Sequence, residues 1–204
     1  MTKIGIINYD VGNLTSLINS FLKLGCKVEI VNNPREIKNY DKLILPGVGN
    51  FDYAIKQFNS FNYKNDIEEF INKKKHILGI CLGMQLMCNS SQESKNKGLG
   101  WINAEVLNFK NKADENLILP HIGWNSVKLN KKIEIFNNIP EDSDFYFTHS
   151  FAVFANNHNL DISTTYYGID FVSVFKKENI FGVQFHPEKS DKFGLKLLKN
   201  FIEL

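Results

Sequence analysis

Through its first eighty residues the chain alternates short β-branched runs with segments of helical spacing, and this alternation restricts the fold more than any other feature. "KIGIINY" from Lys3 reads as a strand, "NLTSLINSFLKLG" from Asn13 as an amphipathic helix closed by Gly25, and "KVEIVN" from Lys27 as a second strand. "KLILPG" from Lys42 supplies a third strand. A helical stretch from about Asn50 to Lys75, broken near Asn59, leads to a fourth, "HILGI". Such a βαβ order predicts an α/β fold with a mostly parallel, doubly wound central sheet and helices on both faces, its ligand site lying beyond the carboxyl ends of the strands. The segments leaving those strands, "NYDVGN", "PGVGNF" and "GICLGMQ", are therefore the places to look for chemistry.

From Trp101 onward the pattern changes. "WINAEVLNF", "LILPHIGWNSV", "DFYFTHSFAVF", "FVSVFKK" and "IFGVQFHP" are strand-like runs separated by loops rich in Asn, Lys and Asp, which predicts an antiparallel β extension. The last segment, "KSDKFGLKLLKNFIEL", is amphipathic through Phe193, Leu195, Leu198 and Phe201 and should pack as a closing helix. With 204 residues and no internal repeat, one domain spanning residues 1–204 is expected. A net charge of +2 leaves no electrostatic footprint for nucleic acid or membrane as a partner. Lys73, Lys74 and Lys75 read as a solvated helix end. The early run "IGII" is ended by Asn8 and Asp10, too soon for a secretory segment, and the apolar stretch Ile77 to Cys88 is too short to span a bilayer. Three cysteines (Cys26, Cys81 and Cys88) without zinc-type spacing point to reduced thiols and a cytoplasmic location.

Cys81 stands between Gly79 and Gly83 in the form glycine-x-nucleophile-x-glycine, at a strand-to-helix junction. A turn this sharp strains the nucleophile's backbone and brings the positions two before and two after against neighbouring backbone, where a Cβ would clash. The Leu82 N–H and the start of the next helix would then favour a thiolate and an oxyanion. The same pattern also fits a buried core thiol. In "QFHPE", His186 and Glu188 stand two apart in what should be extended backbone, so that the carboxylate can orient the imidazole and the imidazole can act as base. An ordinary surface turn, or two metal ligands completed by His149 or His121, fits that pair too. Gly47-Val48-Gly49 lacks the third glycine of a dinucleotide fingerprint; it fits either a second oxyanion N–H or a type II turn after Pro46.

Taken together, "PGVGNF", "GICLGMQLM" and "GVQFHPEKS", in this order and spacing, resemble the class I, triad-type glutamine amidotransferases, and the resemblance runs through essentially the whole chain. "GNL", "GLGWI", "PHIGWN", "YFTHSF", "FHPEKS" and "KLLKNF" are similar to that family's free-standing glutaminases of histidine biosynthesis. The resemblance implies a flavodoxin-like fold and hydrolysis of L-glutamine to glutamate and ammonia through a γ-glutamyl thioester, with no cofactor and no metal. It implies Cys81 as nucleophile, His186 as base and Glu188 as the orienting carboxylate, with oxyanion amides from Leu82 and from Val48 or Gly49. Gln85, Glu93, Gly49, His149, Ser150 and Phe151 would hold the substrate, and Cys26 and Cys88 would be structural. The implied partner is a (β/α)8-barrel imidazole glycerol phosphate cyclase, joined as a heterodimer and fed ammonia internally. It would make imidazole glycerol phosphate and the aminoimidazole carboxamide ribonucleotide (AICAR).

A paralogue feeding an enzyme that amidates cell-surface sugars is the alternative, followed by a cysteine peptidase or γ-glutamyl hydrolase and by a binding module with a dead site. Two positions depart from the family pattern. Asn8-Tyr9-Asp10 replaces a usual Asp-Tyr-Gly, a change the turn tolerates because aspartate adopts left-handed backbone more readily than most residues, and Thr148 stands where an apolar residue is common.

Overall fold

The apolar runs of the first half pair side by side in parallel. The computed structural model describes residues 2–112, 117–129, 133–141, 143–155 and 159–204. In it β1 (Ile4–Ile7) lies between β2 (Val28–Val31) and β3 (Lys42–Leu45), with Ile4 opposite both Val28 and Lys42, and β3 continues to β4 (His76–Ile80). Every residue of β1 and β3 is buried, as strands covered by helices on both faces must be.

Side-chain alternation divides the apolar residues between two cores. Ile4, Ile6, Ile44 and Leu78 pack with Leu17 and Phe21 of α1 (Leu14–Lys23). Ile7, Leu43, Leu45 and Ile77 pack on the other face with Phe58 of α2 (Phe51–Ser60), Ile67 of α3 (Lys64–Asn72) and Met84 of α4 (Leu82–Leu86). The closing helix α5 (Asp191–Glu203) shares the first core through Leu197, Leu198 and Phe201. Its buried face thus takes Leu197 where the sequence pattern pointed to Leu195, because Asn200 also turns inward, donating its amide to the carbonyls of Ile135 and Asn137. Asn13 and Asn50 cap α1 and α2 through their side-chain oxygens, and Gly25 follows α1 at φ +69. The break expected near Asn59 comes at residues 61–63, where Asn62 adopts φ +57.

Beyond α4 the strands are β5 (Cys88–Ser91), β6 (Ile102–Asn108), β7 (His121–Ser126), β8 (Lys128–Leu129), β9 (Asp144–His149), β10 (Phe151–Phe154), β11 (Asp161–Tyr166), β12 (Asp170–Lys177) and β13 (Ile180–Val183). Among the described residues the main sheet runs in the order β2-β1-β3-β4-β13-β12-β10-β6-β5, with β11 and β8 branching from β12, while β7 and β9 form a separate antiparallel ribbon.

The expected antiparallel extension is present, with two differences: β6 pairs in parallel with β5, and β13 joins the parallel sheet beside β4, with Val183 opposite Ile80. A hairpin at Glu178 (φ +52) reverses the chain after β12, so the strand that follows acquires the direction of β4. That return carries "QFHPE" to the same sheet end as "GICLGMQ". Among the described residues, no helix is long and apolar enough to cross a membrane.

Candidate active site

Cys81 is the first residue after β4, and its backbone is left-handed at φ +53, ψ −111. A non-glycine residue in that region costs of order 1–3 kcal/mol and persists only where its surroundings impose it. Two sets of contacts do so here. The Cys81 N–H donates to Val183 O at 2.8 Å, and its carbonyl accepts from the Gln85 N–H at 3.2 Å. The flanking glycines allow the close approach: a Cβ on Gly83 would lie 1.9 Å from the Leu45 carbonyl oxygen, and one on Gly79 would lie 2.9 Å from the Met84 backbone. The two-before, two-after spacing thus does what the sequence implied. Because α4 is only five residues long, the positive potential beyond Cys81 comes from individual N–H groups and hardly from a macrodipole.

Strand β3 delivers the second wall. Its end turns through Pro46–Gly49 against α4, so close that a Cβ on Gly47 would lie 2.8 Å from the Gly83 nitrogen. The buried Tyr9 hydroxyl donates to the Pro46 carbonyl at 2.5 Å and holds this loop from below. Next to Tyr9, Asp10 adopts φ +60, the left-handed turn the sequence allowed for.

Strand β13 delivers the third wall. His186 is extended (φ −99, ψ 97), but Pro187–Lys189 then coil into a short 3-10 turn, so Glu188 reaches the imidazole by a turn of the chain and not by strand alternation. Their contact, His186 Nδ1 to Glu188 Oε1 at 2.7 Å, is nearly sealed from solvent. The Ser190 hydroxyl donates to His186 O at 2.6 Å and accepts from the Tyr146 N–H at 3.0 Å, which anchors the turn. The other ring nitrogen, Nε2, is buried without a hydrogen-bond partner. Burial disfavours the charged imidazolium, but neighbouring Cys81 and Glu188 outweigh it and hold the ring above its ordinary value. Cys81 and His186 line the same pocket, the arrangement in which a thiol and an imidazole exchange a proton once a ligand tightens the geometry.

These three walls, with Glu93 beyond β5, Pro120 before β7 and the β9–β10 stretch Thr148–Phe151, enclose a pocket of about 330 Å³. Every residue singled out from the sequence for oxyanion or substrate contact lines it: Val48, Gly49, Leu82, Gln85, Glu93, His149, Ser150 and Phe151, together with Cys81 and His186. Glu188 stands behind His186, outside the lining. Glu93 is held in place by the Phe51 N–H, which donates to its Oε2 at 2.7 Å.

The chain matches the family model "Glutamine amidotransferase class-I" over residues 6–204. The chain belongs to the class I glutamine amidotransferases. Among relatives, imidazole glycerol phosphate synthase subunit HisH of Methanocaldococcus jannaschii is 46% identical over 202 residues, covering 98% of this chain and 99% of the relative. Subunit HisH 2 of Methanococcus maripaludis is 44% identical over 203 residues, 98% of each chain. A crystal structure of a glutamine amidotransferase superposes with a TM-score of 0.77 at 14% identity, over 98% of this chain and 97% of that one, and shares the fold.

Within this amidotransferase, Cys26 and Cys88 are set apart from Cys81. Neither lines the pocket; Cys88 is fully buried and burial pushes its thiol up, while half-buried Cys26 is also raised, chiefly by burial. His121 and His149 hydrogen-bond to each other at 3.1 Å rather than joining His186 and Glu188 as metal ligands. Among the described residues, no cluster of three or more His, Cys, Asp and Glu could hold a metal ion.

Sequence reasoning left Tyr9, Gln184, Pro120 and Thr148 without a site role. Pro120 and Thr148 line the pocket, and Gln184 sits between Gln85 and Cys81, its Nε2 donating to Cys81 Sγ at 3.7 Å. The only sequence signal for Gln184 was its position inside "QFHPE", at the end of a strand that had to reach the cysteine.

Proposed function

We propose that this chain is the glutaminase subunit of an imidazole glycerol phosphate synthase, acting in the cytoplasm as one domain over residues 1–204. The observation that carries this reading is the meeting of three strand ends at one pocket, with a strained cysteine facing a histidine already tied to a glutamate. Full-length similarity to the two HisH subunits supports the pathway.

In the proposed reaction, His186 takes the Cys81 proton and the thiolate attacks the side-chain amide carbon of glutamine. The resulting oxyanion is stabilised by the N–H of Leu82 and a second from Val48 or Gly49. Collapse of the intermediate breaks the C–N bond. The imidazolium protonates the departing nitrogen, ammonia leaves, and Cys81 carries a γ-glutamyl thioester. Water, deprotonated by His186, then releases glutamate. Glu188 fixes the ring's tautomer and balances the imidazolium, a role suited to a carboxylate behind the pocket. The ammonium of glutamine has two acceptors within the pocket, Glu93 and the Gln85 side-chain oxygen. Ser150 and Phe151 offer backbone groups at the same wall, beside His149.

Ammonia released into neutral water is protonated and lost as a nucleophile, so the product must pass directly to a second active site. The β7 ribbon, which leads out from pocket-lining Pro120, exposes Ile122 at 60% and Trp124 at 50%. Apolar side chains so placed fit a protein interface at the pocket rim. The partner we infer is the (β/α)8-barrel cyclase, which would join the ammonia into imidazole glycerol phosphate. The test is glutamate release from glutamine with and without the same organism's cyclase carrying a ligand in its own site. Stimulation on the order of 100-fold, about 2.7 kcal/mol of barrier, is expected. No stimulation by a cyclase that is folded and active on ammonia would reject this partner.

A further inference from the structure

Two buried or half-buried polar side chains of β7, His121 and Asn125, have no part in the reaction above, yet they connect to the pocket wall. His149 Nδ1 lies 2.8 Å from the Phe151 carbonyl oxygen. A carbonyl only accepts, so Nδ1 carries the proton. Burial pushes His149 down to about 3 and His121 down to about 4, which keeps both rings neutral near pH 7. His149 Nε2 is therefore an acceptor, and its donor is His121 Nδ1–H at 3.1 Å. His121 Nε2 then accepts from Asn125 Nδ2 at 3.3 Å, and the same Nδ2 donates to Tyr166 O at 3.0 Å. The direction of every bond in this run is fixed by the Phe151 carbonyl at one end and the Asn125 amide at the other. The His121 ring is also clasped, stacked on Tyr167 and Phe147 with centroids 3.9 Å and 4.9 Å away.

The run ends at the substrate pocket. The Phe151 carbonyl takes a second donor, Gln85 Nε2, at 2.9 Å. That nitrogen also donates to Gln184 Oε1 at 2.9 Å, so both amide hydrogens of Gln85 are spent and its oxygen remains for a ligand. We propose that His121 is a positioning residue for the glutamine site: its Nδ1–H holds His149 in the tautomer that, with Gln85, clamps the Phe151 carbonyl and presents the Gln85 oxygen to the substrate's ammonium. This rests on the glutaminase reading. Without the His121 donor, His149 Nε2 is a buried acceptor left unpaired, the ring gains by turning or changing tautomer, and the clamp loosens.

The test compares H121F, which keeps a flat ring but has no N–H, with H121N, whose amide restores a donor near the Nδ1 position. Both are assayed as complexes with the cyclase. H121F should raise the KM for glutamine roughly 10-fold with kcat within about 3-fold of the parent, and H121N should bring KM back to within about 3-fold although it loses the stacks. Nitrogen NMR of the labelled chain should find His149 protonated at Nδ1 and not at Nε2 in the parent and in H121N.

A parental KM in H121F, or equal damage in both variants, would overturn the proposal in favour of a packing role. Should H121F fail to fold, a His149 protonated at Nε2 in the parent overturns the proposal by itself, and one protonated at Nδ1 with KM recovered in H121N supports it. A parent complex without glutaminase activity but with His149 protonated at Nδ1 would refute the glutaminase reading, and with it the substrate half of the proposal, while supporting the tautomer assignment.

Discussion

Replacing Cys81 with serine lowers glutamine-dependent synthesis by the complex by a factor on the order of 10⁴ and leaves synthesis from added ammonium salts intact. The hydroxyl keeps the size of the thiol, so the elbow at φ +53 and the contacts of Gly79 and Gly83 are preserved. What changes is the nucleophile. An alcohol gives up its proton far less readily than a thiol, so His186 has a much weaker acid to deprotonate. The ammonium arm separates chemistry from assembly, because a variant that still docks still supports a cyclase supplied with ammonia. Loss of both activities would assign Cys81 a role in folding or docking. Retention of glutamine-dependent activity would remove it as the nucleophile.

The second large effect is steric. Gly83→Ala places a Cβ 1.9 Å from the Leu45 carbonyl oxygen and 2.8 Å from the Leu45 carbonyl carbon. Both belong to backbone at the end of a fully buried strand, so no side-chain rotation relieves the overlap. Alanine is the better helix former by about 1 kcal/mol, which opposes the expected effect. The clash should win, with a net loss of more than about 3 kcal/mol by urea denaturation, or failure to accumulate folded protein. Gly25→Ala is the control, since Gly25 has a positive φ but open space around it, and should cost only about 1 kcal/mol. Equal stability of the two variants would mean that Gly83 is not needed for close approach.

The features readable from sequence were those whose geometry is local. The spacing of Gly79, Cys81 and Gly83 encodes one turn, and His186 and Glu188 are two residues apart, so their partnership survived even though a 3-10 turn and not extended backbone brings them together. The alternating runs likewise encoded the two-sided burial of β1 and β3. Features set by distant partners were not readable. Nothing near Ile180 announces that β13 pairs in parallel with β4, a hundred residues earlier in the chain. Tyr9 looks like one more aromatic core residue until the fold sets the Pro46 carbonyl against its hydroxyl. His121 and His149 meet only because β7 and β9 pair in a register that sets them opposite each other. Leu197 displaced Leu195 from the buried face of α5 because Asn200 found two carbonyls across the core.

The most direct test of the account is to acid-quench the cyclase complex while it turns over glutamine and to locate the glutamyl group by peptide mass spectrometry. A glutamyl thioester on the peptide carrying Cys81, absent from the C81S complex, is the predicted result. A glutamyl group on Cys26 or Cys88, or turnover with no covalent adduct under conditions that trap thioesters, would contradict the assignment of Cys81 at the end of β4 as the nucleophile.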